Sequence, residues 1–154
     1  MFITFEGIEG SGKTTQIKRL AHYFRKKGKH CLITREPGGT SIGKKIRAIL
    51  LDPASSDLAP LTELLLYMAD RAQHLNQVIQ PSLDAGNTVL CDRYLDATIV
   101  YQGIARGLNT RLISRLHQMI SIDLKPNITL LFDLPPTEGL NRAWAELKNG
   151  SRTE

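Results

Sequence analysis

Gly7-Ile8-Glu9-Gly10-Ser11-Gly12-Lys13-Thr14 matches the spacing G-x-x-x-x-G-K-[ST] in full. Glycines at that spacing let backbone N–H groups turn toward phosphate oxygens, and the N-terminus of a following helix adds positive potential. Lys13 would then reach the outer phosphates, and the Thr14 hydroxyl would ligate Mg²⁺. Glu9 is out of keeping with this chemistry, because a carboxylate beside polyphosphate is repelled by ~1 kcal/mol or more even in water-like surroundings. It either points to solvent or serves another partner. Asp92 directly follows the apolar run Val89-Leu90-Cys91, where nucleotide-binding folds of this kind place a metal-holding carboxylate. A strand-terminal turn aspartate is the lesser alternative. Arg93 beside it could clamp a phosphate bidentately or form a surface ion pair. Tyr67 and Arg71 lie four apart on one helical face, with His74 a turn further on. An aromatic plane and a guanidinium suit a base and its phosphate; a half-buried tyrosine and a solvated charge fit the spacing as well. His74 alone makes no site.

These residues need elements to hold them. Met1–Glu6 is short, β-branched and aromatic, and reads as a buried strand. A helix is expected from Lys13 to about Lys27, with Ile17, Leu20, Ala21 and Phe24 on one face and Gly28 closing it. Cys31–Thr34 forms a second strand leading into the loop REPGGT, and a short helix follows over Ser41–Leu51. A long helix runs from about Leu61 to Ala85, kinked near Pro81, with Leu61, Leu64, Leu65, Met68, Ala72, Leu75 and Ile79 on its apolar side. Thr88–Cys91 is a third strand, Ala97–Ala105 and Thr110–Ile122 are helical, and Ile128–Phe132 is a fourth strand before a helix over Thr137–Leu147. Strands alternating with helices argue for an α/β fold, a parallel sheet covered on both faces. Such sheets bind ligands at the carboxyl ends of their strands. Here those ends carry the glycine loop, Arg35-Glu36, Asp92-Arg93-Tyr94 and Asp133.

The 154 residues, 42% hydrophobic and 23% charged, suffice for one domain with a core. A net charge of +5 suits anionic ligands such as nucleotides. The basic residues are dispersed and lack interleaved aromatics, so a nucleic-acid surface is disfavoured. No apolar run approaches the ~18 residues of a membrane span, and no leader pattern opens the chain. Cys31 and Cys91 sit in strand-like runs and read as buried, reduced thiols of a cytoplasmic protein.

The segments FEGIEGSGKTTQ, REPGGT, LLLYMADRAQH, DRYLDATIVYQG and LLFDLPP, in that order and spacing, closely resemble bacterial thymidylate kinases. The resemblance implies a doubly wound parallel sheet of the P-loop nucleoside monophosphate kinase type. It implies transfer of the γ-phosphoryl group of ATP to dTMP, giving dTDP and ADP in dTTP synthesis, with Mg²⁺. It places Gly7, Ile8, Glu9, Gly10, Ser11, Gly12, Lys13 and Thr14 on the ATP phosphates. Arg35 and Pro37 would shape the acceptor pocket, Tyr67 would stack on thymine, and Arg71 would hold the acceptor phosphate. Arg93 would bridge to the transferring phosphoryl, Asp92 would serve the metal, and Tyr101 and Gln102 would lie near the acceptor sugar and base. Glu9 would aim at the acceptor's 3′-hydroxyl. Two departures stand out. A serine common in the family is Ala97 here, with Thr98 beside it. The family also continues into a mobile basic lid, a further strand and terminal helices, so the resemblance implies that residues 148–154 open the lid and that the C-terminal part of the fold lies beyond Glu154. Some members carry a catalytic arginine where this chain has Gly10; members with glycine there draw it from the lid, which points to Arg152, with Arg142 on the preceding helix. A homodimer is the family expectation. The competing readings are another nucleoside monophosphate kinase and a nucleotide-binding fragment without turnover.

Overall fold

The structure is a computed structural model that describes residues 1–121 and 124–148. Four parallel strands, β1 (Phe2–Gly7), β2 (Cys31–Arg35), β3 (Thr88–Asp92) and β4 (Ile128–Phe132), lie in the order β2-β3-β1-β4. Chain order and spatial order differ because crossovers run to both sides of β1, which is the doubly wound arrangement. β1 and β3 form the centre, with Phe2 opposite Val89 and Phe5 opposite Asp92, while Arg35 of β2 also pairs with Asp92. This register brings the charged ends of β2 and β3 level with the glycine loop.

Burial on both faces explains why the two central strands, β1 and β3, are largely apolar. One face packs Phe2, Val89 and Cys91 against Leu75, Ile79 and Tyr94; the other packs Ile3, Phe5 and Leu90 against Ile17 and Ala21 of α1 (Lys13–Lys26). Gly28, at φ 72, ends α1 as expected. α2 (Ser41–Leu51) is capped by Thr40, whose Oγ1 accepts from the Gly43 N–H at 2.8 Å. α3 (Pro60–His74) opens with proline in its first turn and packs on α2.

The long helix breaks earlier than expected. A π turn over Leu75–Ile79 separates α3 from α4 (Gln80–Asp84), and the Gln80 N–H donates to Leu75 O. Pro81 has no N–H for the carbonyl four residues back and its ring crowds that carbonyl, so the preceding turn widens. Similarly, Ala97–Ala105 is not one α-helix. α5 (Leu95–Thr98) passes into a π turn over Ile99–Ala105, before α6 (Thr110–Ser121) and, after β4, α7 (Pro136–Lys148).

Three further expectations change. Leu61 and Leu65 are exposed, at 48% and 49%, because α3 turns Leu64 and Met68 inward toward Ile113 instead. Cys91 is buried but Cys31 only partly so, and both are free thiols. β4 is an edge strand exposed along Ile128–Leu131, so among the described residues the sheet is not covered throughout.

Candidate active site

One cleft of about 850 Å³ runs along the carboxyl ends of β1, β2 and β3. Lining it are Glu9–Thr14 of the glycine loop, Arg35 at the end of β2 and Pro37 beyond it, Tyr67 and Arg71 of α3, Asp92 at the end of β3 and Arg93 beyond it, and Tyr101 and Gln102 of the second π turn. Asp133 is not among its lining residues, because β4 lies at the edge of the sheet on the far side of β1. Arg142 is exposed on α7 and pairs with Glu138; Arg152 lies outside the described residues.

The glycine loop turns through positive φ at Gly7, Gly10 and Gly12. At Gly10 the requirement is double: φ is 70, and a Cβ would sit 2.1 Å from the Gly139 carbonyl oxygen of α7. Gly139 answers in kind, since its own Cβ would fall 2.4 Å from Ile8 Cδ1. Lys13 folds back over the loop and its Nζ donates to Gly7 O at 2.8 Å and Ile8 O at 2.7 Å. Burial and the nearby Arg93 lower its pKa from the ordinary lysine value. The Thr14 hydroxyl donates to Asp92 Oδ2 at 3.2 Å, so the two oxygens expected at a metal are neighbours.

Glu9 does not simply point to solvent. Arg93 Nη2 donates to its Oε1 at 2.5 Å, and the Tyr101 hydroxyl donates to its Oε2 at 3.4 Å. Arg93 also lies over the Tyr101 ring, 5.3 Å from its centroid. Its backbone takes φ 69, a left-handed conformation unfavourable for a residue with a Cβ. Three bonds hold it there: its N–H donates to Phe5 O, its carbonyl accepts from Cys91 Sγ, and the next N–H, of Tyr94, donates to Glu6 Oε1 at 2.8 Å.

The acceptor side rests on a buried cluster that periodicity did not reveal. Arg71, 1% exposed, donates from Nε to Glu36 Oε2 at 2.6 Å and from Nη2 to Tyr94 O and Thr98 Oγ1, both at 2.9 Å. The reading of Arg71 as a solvated charge is therefore wrong. His74, fully buried, bonds Glu36 Oε1 through Nδ1 at 3.0 Å and Thr34 Oγ1 through Nε2 at 2.6 Å. It belongs to the support rather than the cleft. Burial works to raise the Glu36 pKa, but Arg71 and His74 outweigh it and hold the carboxyl below its ordinary value. Asp70 Oδ1 accepts from the Gly38 N–H at 3.0 Å, so α3 grips the REPGGT loop at two points. Tyr67 is half-buried on the cleft wall. Sequence reasoning missed Glu6, Glu36 and Asp70 as site supports. Only Glu36 carried a signal, at the end of β2 beside Arg35.

A sequence model of the thymidylate kinase family matches residues 5–153. The chain is 58% identical over 151 residues to the thymidylate kinase of Desulfosudis oleivorans, covering 97% of this chain and 71% of that protein. It is 59% identical over 153 residues to that of Desulforapulum autotrophicum, covering 99% and 67%. The fold superposes on the crystal structure of thymidylate kinase from Ehrlichia chaffeensis with a TM-score of 0.81 at 40% identity, over 98% of this chain and 82% of that one. With its glycine loop, the DRY turn after β3 and the α3-clamped REPGGT loop all on one cleft, the chain belongs to the thymidylate kinase family.

Proposed function

We propose that this chain transfers the γ-phosphoryl group of ATP to dTMP, giving dTDP and ADP, as a nucleoside monophosphate kinase serving dTTP synthesis. The observation that carries this reading is the Glu9–Arg93–Tyr101 contact, which joins the phosphate-binding loop to the acceptor side of the same cleft.

In this reading the backbone N–H groups of Gly7–Thr14 and the Lys13 ammonium hold the donor phosphates; an incoming phosphate replaces Gly7 O and Ile8 O as the partners of Lys13. Thr14 and Asp92 would hold Mg²⁺. Two adjacent hard oxygens, completed by phosphate and water, suit that ion, which neutralises charge on the transferring group when bound. Arg93, released in part from Glu9, turns toward the developing charge, while Glu9 takes the acceptor's 3′-hydroxyl proton as a hydrogen bond. Tyr67 stacks on the base, and Arg35, Pro37, Arg71, Tyr101 and Gln102 enclose the acceptor nucleotide. The acceptor phosphate attacks in line, so positioning and neutralisation make up the catalysis. Arg152 as a lid arginine, in a lid opening near residues 148–154 of this single domain, belongs to the same proposal. So does a homodimer, supported by exposed Ile42 and Ile49 on α2 beside Leu61 and Leu65 on α3, and read out by light scattering. A cytoplasmic setting is supported by the two free thiols; no helix among the described residues is long and apolar enough to cross a membrane.

The deciding experiment is coupled ADP release with ATP and dTMP, dUMP, dCMP or AMP as acceptor. The expected result is turnover highest with dTMP. Nucleotide binding without ADP release, or preference for another acceptor, overturns it. Arg152→Ala should lower kcat in the same assay.

A further inference from the structure

Gln102 is buried, yet it lines the acceptor side of the cleft. It sits in the π turn Ile99–Ala105, where the Arg106 N–H donates to Tyr101 O at 3.0 Å and the Leu108 N–H to Gln102 O at 3.2 Å. Its side-chain Nε2 donates to Glu63 Oε1, in the first turn of α3, at 2.7 Å. The other oxygen of Glu63 is held as well: Arg106 Nε donates to Oε2 at 3.0 Å, and Arg106 Nη2 donates to the same atom. Burial works to raise the pKa of Glu63, but hydrogen bonds from Arg106 and Gln102 outweigh it and hold the carboxyl below its ordinary value. It is therefore ionised around neutral pH, and an ionised carboxylate only accepts. Among the described residues, no other hydrogen bond reaches the Gln102 amide.

We propose that Glu63 is a positioning residue for base recognition: it fixes the Gln102 amide with its NH₂ toward α3 and its Oε1 toward the base. A reversed amide would set carbonyl against carboxylate, two acceptors with no proton between them. An amide so locked offers the cleft one kind of group, an acceptor. That acceptor matches the ring imide N–H shared by thymine and uracil and opposes the acceptor nitrogen of cytosine at the same ring position. Glu63 touches no substrate in this account; it acts through Gln102, and Arg106 keeps it in place. The inference rests on the dTMP reading above and deepens it.

The test is isothermal titration of the full chain and of its Glu63→Gln variant with dTMP, dUMP, dCMP and ATP. Glutamine can present either a donor or an acceptor to Gln102, so the lock is lost while the side-chain shape is kept. The dTMP-to-dCMP affinity ratio should fall about tenfold, worth about 1.4 kcal/mol. The dTMP-to-dUMP ratio and the ATP affinity should not change, because both bases carry the imide N–H and ATP lies elsewhere. Glu63→Ala should lower the first ratio too. These are ratios within one preparation, so the fraction of folded protein cancels. An unchanged dTMP-to-dCMP ratio, including uniform weakening of all three acceptors, overturns the proposal alone. A wild-type chain that binds dCMP as tightly as dTMP overturns the dTMP reading and the proposal with it.

Discussion

Glu9 and Gly10 adjoin in the glycine loop, and both depart from what a phosphate cradle alone would need. Glu9 is offset by Arg93, which donates to it at 2.5 Å, and it faces the acceptor side through Tyr101. Glu9→Gln should therefore raise the KM for dTMP severalfold while leaving that for ATP nearly unchanged, as steady-state kinetics with each substrate varied would show; an equal rise in both would place Glu9 on the donor instead. Gly10 is fixed by the close approach of α7, because any Cβ there would meet Gly139 O at 2.1 Å in an already left-handed conformation. Gly10→Arg should not supply the catalytic arginine that some family members carry at this position. It should displace α7 from the loop and lower stability by about 2 kcal/mol or more, seen as a lower Tm together with weakened ATP binding.

At the scale of elements, the acceptor side depends on α3 gripping the loop after β2. Glu36, Arg71 and His74 form one buried cluster, with Asp70 tied to Gly38 beside it. Removing one charge from such a cluster leaves the other unpaired in the interior, at a cost of roughly 3–5 kcal/mol. Glu36→Gln should therefore lower the urea midpoint markedly and weaken dTMP binding more than ATP binding, since the glycine loop lies outside the cluster. Periodicity located α3 and put Tyr67 and Arg71 on one face, but it left Arg71 open between a solvated charge and a ligand contact. Glu36 is remote in sequence, and nothing local signals that its carboxylate meets Arg71 Nε at 2.6 Å. The two π turns escaped for a related reason: a widened turn keeps the side-chain pattern close to that of an α-helix.

Across the whole molecule, a buried acid under the DRY turn links stability to pH. Glu6 is 4% exposed, and burial raises its pKa to about 7 despite the hydrogen bond from the Tyr94 N–H and the nearby Arg93. A raised folded-state value means the folded protein holds this proton more tightly than the unfolded chain. Its contribution is complete below the ordinary value of 4.5 and is lost as pH rises through about 7. Glu6→Gln keeps an acceptor for Tyr94 but cannot ionise, so the fall in stability between pH 5 and pH 8 should be smaller in the variant by about 2–3 kcal/mol, read from denaturant unfolding at both pH values. By itself, the sequence determined the strand–helix alternation, the phosphate loop and the carboxylate that ends β3, because these follow from local spacing and backbone demands within a few residues. Tertiary structure alone decided which strand ends share the cleft, leaving Asp133 out of its lining and setting Arg35 level with Asp92. It also decided which acids act as supports, as Glu6, Glu36 and Glu63 do. Strand order and long-range pairing of charges arise only when distant segments are packed together, where burial makes each unpaired charge costly.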